Sequence, residues 1–319
     1  MRIGIDIGTS HVAVAIEKRG ILFREPSVLA ISKKNNKVMC VGENAKEMLG
    51  KTNPDIGAIY PLKEGVIADY QATEFMLKYF LNKVCGKIKL VKPFVILSVP
   101  VKLTSIEERA LEEAALAAGA QKVHLIPSPL AAALGAELSI HKPAGHMVVD
   151  IGAGTTDIAV ISLGDIVCSE SLRSGGNKMD EAIKRYVRKI YNLIIGDQAA
   201  EEIKIKISSA VPMDTSMSME VKGRDLIDSL PKSITLTDEE IKEPVEESLK
   251  VILEGIKKVF EKTPPELISD IIDNGVLLTG GGGLLRGLDE RLTRDIGVCF
   301  YIPEDSINCV AKGTVLARI

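Results

Sequence analysis

The sequence predicts an α/β fold of two similar lobes facing one another. Three observations carry that prediction. The first half alternates short apolar strands with amphipathic helices, the pattern of sheets covered by helices. One device occurs twice, 144 residues apart: Asp6-Ile7-Gly8-Thr9 leads into HVAVAI, and Asp150-Ile151-Gly152-Ala153-Gly154-Thr155-Thr156 leads into DIAVI. At 319 residues the chain is also longer than one hydrophobic core ordinarily spans.

The elements follow in order. RIGIDIG and HVAVAI flank a tight Gly-Thr-Ser turn and read as a hairpin. Residues 26–40 hold another strand pair around Lys33-Lys34-Asn35-Asn36. The apolar spacing of ATEFMLKYFLNKV predicts an amphipathic helix over 72–84, and FVILSVP, 94–100, is a buried strand. TSIEERALEEAALAAGA is a helix with Ser105 and Glu108 at capping-box spacing and Gly119 as its stop. KVHLIP is a strand, and in IPSPLAAALGA Ser128 is expected as N-cap with Pro129 at the first helical position. HMVVDIGAGTTDIAVISLGD then reads strand, glycine turn, strand. A helix follows Gly175-Gly176, another covers about 198–209, and 210–235 reads as polar and irregular. Thr237 and Glu240 form a capping box for a helix to about Lys262, with Pro244 in its first turns, and Thr263-Pro264-Pro265-Glu266 opens the next. GVLLTGGGG is a strand with a glycine turn, and LLRGLDERLTRDIG is a helix ending at glycine.

Composition excludes several functions. The net charge is −3, so no basic field favours nucleic acid, and with no Trp and 4% aromatic residues there is little to stack bases on. The five cysteines stand at 40, 85, 168, 299 and 309 without CxxC spacing, which reads as free thiols in a reducing cytosol. Four histidines show no metal-binding spacing. No secretory signal and no membrane-spanning run are read.

Three glycine-rich turns follow apolar strands, at 6–10, 150–156 and 279–283. Such turns let backbone N–H groups approach an anion, and Thr9, Ser10, Thr155 and Thr156 add hydroxyl donors. The two aspartates are more informative. A carboxylate ending an apolar strand is costly without a partner, and a hydrated Mg²⁺ on a nucleotide's phosphates would supply one to Asp6 and Asp150. No GxxxxGK[ST] loop is present, and the turn at Gly152 leads to a strand where a dinucleotide fold needs a helix. A nucleotide site of another kind is therefore expected.

The stretches DIGTS, EPSVLAI, VIADYQATEFMLKYF, residues 145–163, SGGNKMDEAI, RDLIDSLPKSI, EKTPPEL, LLTGGGGLLRGLDERL and NCVAKGT together resemble the MreB family of bacterial actins, nearly end to end. The resemblance implies an actin-like fold of the actin, sugar kinase and chaperone ATPase superfamily, with an RNase H-like core in each lobe. Its four subdomains would be IA (1–28, 63–138 and 304–319), IB (29–62), IIA (139–175 and 237–303) and IIB (176–236). It implies ATP and Mg²⁺ in the cleft. Asp6, Gly8, Thr9 and Ser10 would form the first phosphate loop, and Asp150, Gly152, Ala153, Gly154, Thr155 and Thr156 the second. Gly175 and Gly176 would adjoin the nucleotide, Gly280, Gly281, Gly282 and Gly283 would line the adenosine, and Glu201 and Lys204 would meet ribose and base.

Two departures from the family pattern matter. Where the family usually reads IEEP, with the second Glu orienting the attacking water, this chain reads IPSP. Ser128 thus takes the Glu position, while Thr155 and Asp150 retain the other catalytic positions. A hydroxyl lacks the carboxylate's basicity and reach, so slow hydrolysis is expected. The family's GGDEMD reads GGNKMD, so Asn177 and Lys178 replace two acids and leave the choice of ATP over GTP open. His11 reads as a solvent-facing turn residue.

The resemblance also implies surfaces. KIKLVKP, 87–93, would be a membrane loop, its Ile88, Leu90 and Val91 entering an anionic leaflet among lysines, so a cytoplasmic chain peripheral at the inner face of the cell membrane is expected. Subunits would stack head to tail with copies of themselves, Ile106 would sit where filaments pair in antiparallel fashion, and paralogous MreB subunits would be further partners to assemble with or regulate. The alternative is a sugar or small-molecule kinase of the same superfamily, for which no substrate-base motif is read.

Overall fold

A computed structural model describes residues 1–35, 37–48, 55–86, 92–213 and 215–317. In the first lobe, β1 (Arg2–Ile7), β2 (His11–Ile16) and β3 (Gly20–Pro26) form an antiparallel meander. Next come β4 (Leu29–Ser32), β5 (Lys37–Val41), the short helix α1 (Glu43–Met48) and β6 (Ile56–Ile59), in which β4 is the centre of a small separate sheet. A two-residue-per-strand hairpin, β7 (Leu62–Lys63) and β8 (Val66–Ile67), precedes α2 (Tyr70–Cys85). Then β9 (Phe94–Val99), α3 (Ser105–Ala117), β10 (Lys122–Pro127) and α4 (Ser128–Gly135) complete the lobe, with β9 parallel to β1 and β10 parallel to β9.

The second lobe repeats this plan. It opens with β11 (His146–Ile151), β12 (Thr156–Ser162) and β13 (Asp165–Leu172), then α5 (Gly176–Tyr191), β14 (Leu193–Ile194) and α6 (Asp197–Ile207). A hairpin of β15 (Ser218–Asp225) and β16 (Pro231–Thr237) leads to the long α7 (Asp238–Lys262) and to α8 (Pro265–Asn274). The chain continues through β17 (Val276–Thr279), α9 (Leu288–Ile296) and β18 (Phe300–Tyr301), and α10 (Cys309–Leu316) returns to the first lobe. The strand orders β10-β9-β1-β2-β3 and β18-β17-β11-β12-β13 are the same order twice. The duplicated aspartate turns thus lie at matching places in two sheets of equal topology.

Several expectations are corrected. Residues 210–235 are not irregular: β15 and β16 pair from Ser218–Thr237 to Arg224–Pro231. The helix cap before α3 lies one residue earlier than expected, since Thr104 accepts from the Glu107 N–H and Glu107 accepts from the Thr104 N–H. Thr237 and Glu240 do form the capping box of α7. In α4 the N-cap is Pro127 and no side chain caps the helix; the Ser128 hydroxyl donates instead to the Val99 carbonyl at 3.1 Å.

The small residues of α4 have a packing cause. A Cβ added at Gly135 would lie 1.8 Å from the Cys309 carbonyl oxygen, and one at Gly313 would lie 1.7 Å from that of Ala131. So α4 and α10 meet backbone to backbone. Around them Ala131, Ala132 and Ala133 share a buried cluster with Ile96 of the first sheet and Val148, Ala159 and Leu277 of the second. This cluster is the seam between the lobes. Overpacking a rigid core costs about 1–3 kcal/mol, so Gly313→Ala is expected to destabilise the chain by at least about 2 kcal/mol in urea unfolding. An exposed control, Gly196→Ala, should be close to neutral, since nothing lies within 4 Å of its added Cβ.

Candidate functional site

Strand register sets the two aspartates. Asp6 lies on β1 beside β9, and Ser98 on β9 donates to its Oδ1 at 2.6 Å. Asp150 lies on β11 beside β17, and Thr279 on β17 donates to its Oδ1 at 2.9 Å. Each carboxylate is thus held by one hydroxyl from its parallel neighbour. Burial raises the Asp6 pKa. Burial first, then the Asp6 charge, pushes Asp150 up to about 7.

Between them lies a cavity of about 380 Å³, within the range of nucleotide-sized pockets. The Gly8 N–H closes the first turn on the His11 carbonyl at 3.0 Å, and the Gly152 N–H closes the second on the Thr155 carbonyl at 2.8 Å. The turns touch across the cleft: a Cβ on Gly154 would lie 2.3 Å from Thr9 Oγ1. Thr9 in turn accepts from the Gly65 N–H at 3.1 Å, which brings the β7–β8 hairpin over the cavity. Gly280 has φ +81° and would set a Cβ 2.3 Å from the Ile151 carbonyl oxygen, so the third turn needs glycine.

The cavity wall gathers Asp6, Gly8, Thr9 and Ser10 from the first turn and Asp150, Gly152, Ala153, Gly154 and Thr155 from the second. Ser128, Gly176, Glu201, Lys204, Gly280, Gly281 and Gly282 also line it. Three expected residues are placed behind that wall. Thr156 is fully buried, its hydroxyl donating to the Ser174 carbonyl at 2.7 Å. The Gly175 carbonyl accepts from the Lys178 N–H, and the Gly283 N–H donates to the Gly280 carbonyl. Lys204 donates to the Gly176 carbonyl at 3.1 Å and pairs with Asp180 at 2.9 Å. Glu201 faces Lys46 of α1 at 3.5 Å.

His11 is not solvent-facing: it lines the cavity with its Nδ1 2.9 Å from Ser10 Oγ. Burial, with the charges of Arg24 and Lys46, pushes its pKa down to about 4. Asp157, Arg24 and Glu64 are functional-site neighbours that the sequence did not single out. Asp157 is 2% exposed and accepts from the Val101 N–H at 3.1 Å, which joins the lobes. Like Asp6 it is a carboxylate inside an apolar strand, and that signal could have found it. Lys178, the departure in GGNKMD, reaches Glu64 at 3.3 Å across the cleft. Ile106 is 80% exposed at the start of α3. Ile88, Leu90 and Val91 lie outside the described residues.

Among the described residues no three His, Cys, Asp or Glu side chains converge into a direct metal shell. The donor set is two facing carboxylates with raised pKa, which fits a hydrated divalent cation held partly by phosphate better than an all-protein cage.

Duplicated sheets, each offering an aspartate and a glycine turn to a shared cleft, define the actin-like class of nucleotide-binding folds. A family model described as MreB/Mbl protein matches residues 1–318, and the chain belongs to that family. It is 47% identical over 312 residues to the cell shape-determining protein Mbl of Bacillus subtilis (strain 168), covering 98% of this chain and 94% of that protein. It is 45% identical over 316 residues to the cell shape-determining protein MreB of Escherichia coli (strain K12), covering 98% and 91%. Among solved structures, MreB5 of Spiroplasma citri bound to AMPPNP superposes with a TM-score of 0.94 at 37% identity, covering 99% of this chain and 95% of that one. The MamK double helical filament has a TM-score of 0.81 at 22% identity, a likeness of fold, covering 99% and 98%.

The depressed His11 pKa makes stability pH-dependent. The folded state keeps His11 neutral, so its contribution is intact above about pH 6.5 and is lost as pH falls toward about 4. The fall in melting temperature between pH 7 and pH 5 is therefore expected to be smaller in His11→Gln than in the native chain. Equal falls would place His11 in water.

Proposed function

We propose that this chain is an ATP-binding cytoskeletal subunit that polymerises at the inner face of the cell membrane, takes part in cell shape or motility, and hydrolyses its nucleotide slowly. The observation that carries this reading is the meeting of the two glycine turns, Gly154 against Thr9, above Asp6 and Asp150. Residues of both turns line one cavity, so a polyphosphate seated there would touch both lobes. The relatives' descriptions as cell shape-determining proteins, and the AMPPNP and ADP bound to Spiroplasma citri MreB5, support it. The sugar-kinase alternative is not favoured, because the family match runs through the whole chain.

Asp6 and Asp150 would hold Mg²⁺ through water, and the ion would neutralise charge on the phosphates. Thr155, whose hydroxyl proton goes to Asp157, would stand at the catalytic position beside the second turn, Gly280 to Gly282 would border the adenosine, and Glu201 and Lys204 the ribose and base. Subdomains IA, IB, IIA and IIB would divide the chain at the boundaries given above. Head-to-tail copies would form the filament, with Ile106 at the pairing face, paralogous subunits as further partners, and the 87–93 loop as the contact with anionic lipid.

The start of α4 governs the chemistry. Ser128 is 9% exposed, and its hydroxyl is engaged with the Val99 carbonyl. Asp157, the nearby carboxylate, accepts from Val101 and from the Ser171 and Thr155 side chains, which leaves it poorly placed to take a water's proton. A positioned general base contributes about 10²–10⁴-fold in rate. Phosphate release from Mg-ATP by the native chain is therefore expected to be slow, and Ser128→Glu should raise it at least about tenfold. Rapid release by the native chain would show that another group positions the water.

Assembly has a separate test. Sedimentation and electron microscopy with Mg-ATP should yield filaments, and Leu90→Glu with Val91→Glu should weaken binding to anionic liposomes. Failure to assemble with any nucleotide, on lipid or off it, would refute the cytoskeletal reading.

A further inference from the structure

Three residues lining the cavity carry a fixed positive charge: Arg24, Lys204 and Arg286. Two of them are engaged elsewhere. Lys204 is paired with Asp180, and the Arg286 guanidinium donates to the Met217 sulfur. The Arg24 guanidinium makes no hydrogen bond or ion pair among the described residues. It feels the carboxylates of Asp6, Glu201 and Glu43, in that order, without closing on any of them.

Its place in the sheet accounts for this. Arg24 on β3 stands directly across from Ala13 on β2, and Ala13 also lines the cavity. A methyl group at the facing position leaves room for a long side chain to lie over β2 toward the cleft. His11, two residues before Ala13 on β2, lines the same cavity, as period-two alternation requires. Arg24 is an exposed residue whose guanidinium is partly desolvated at the cavity wall. The other charges on this wall are acidic: Asp6, Asp150, Asp157 and Glu201. A polyphosphate entering so acidic a cavity needs cationic partners, and a divalent ion between Asp6 and Asp150 would answer for only part of its charge.

We propose that Arg24 is a phosphate-binding residue, its guanidinium donating to non-bridging oxygens of the polyphosphate of a nucleotide seated between the two glycine turns. This rests on the reading of the cleft as a nucleotide site. The planar fork suits two phosphate oxygens at once, so lysine would replace it only in part. The contact reads the phosphate chain and not the nucleoside, and therefore sets the preference for nucleoside di- and triphosphates over the nucleoside itself.

The test is a fluorescence titration with a ribose-labelled ATP in Mg²⁺ at fixed ionic strength. Unlabelled ATP, ADP and adenosine serve as competitors against the native chain, Arg24→Gln and Arg24→Lys. Arg24→Gln should weaken ATP and ADP by about tenfold or more, while adenosine stays within about twofold. Arg24→Lys should fall between. Nucleotide-free melting temperatures close to the native value establish that each variant folds. Unchanged ATP affinity in Arg24→Gln would overturn the assignment, as would equal weakening of ATP and adenosine, which marks a role in shaping the cleft. A native chain that binds none of the three would overturn the nucleotide reading itself.

Discussion

Backbone contact between α4 and α10 is the constraint on which the rest of the molecule depends. Gly135 and Gly313 admit that contact, and no side chain could be interposed without parting the helices. The helix α10 is also pressed against the first sheet, where a Cβ on Gly4 of β1 would strike Thr314. The helix α4 shares the seam cluster with both sheets. One close helix pair therefore fixes the two sheets relative to each other. The glycine turns can meet to within a contact distance only because this seam behind them does not yield. Ser128 begins α4, so the residue at the γ-phosphate end of the proposed site is placed by the same packing.

The site carries an electrostatic cost that the fold does not remove. Asp6 and Asp150 each receive one hydroxyl, from Ser98 and Thr279, and no cation lies within ion-pair distance among the described residues. Hydrophobic residues in their place would stabilise the sheets better. The carboxylates make physical sense when the cleft holds a cation and phosphates, and the same holds for Arg24 with the opposite sign. Both departures from local stability converge on one cavity, which is where function is expected to override folding.

What was legible in the sequence had a local cause. The repeated strand–aspartate–glycine turn predicted two equivalent sheets, because a buried carboxylate and a glycine turn are both visible residue by residue. The hairpin of β15 and β16 escapes a reading by residue type because two of the four inward positions of β15 are Gly223 and Asp225, so a strand that alternates in burial does not alternate in apolar residues. The cap of α3 was displaced because Thr104–Glu107 and Ser105–Glu108 have the same spacing, and only the path of the chain chooses between them. Ser128 looked like an N-cap because its neighbour is proline, yet its hydroxyl turned to a carbonyl on β9, a partner 29 residues away. His11 and Arg24 become cavity residues only through the register of β2 with β3, which no short window of sequence contains.

Closure of the cleft follows from the sizes of the contacts that span it. Lys46–Glu201 and Lys178–Glu64 cross the rim, but their side chains are roughly a third exposed and such pairs contribute about 0–1 kcal/mol each. The Val101 N–H to Asp157 bond is buried and holds the base of the cleft, not its mouth. The rim pairs therefore set the register of closure without the strength to enforce it. A ligand that engages both glycine turns at once, with Arg24 from one lobe and Gly280 to Gly282 from the other, would bind far more firmly across the gap. Each of its hydrogen bonds to a charged phosphate oxygen is worth about 1.5–3 kcal/mol. On the proposed reading the nucleotide is itself the principal tie across the mouth of the cleft, in front of the fixed seam. A subunit with Ser128 at the start of α4 would break that tie slowly, and its closed form would persist for as long as the phosphates remain intact.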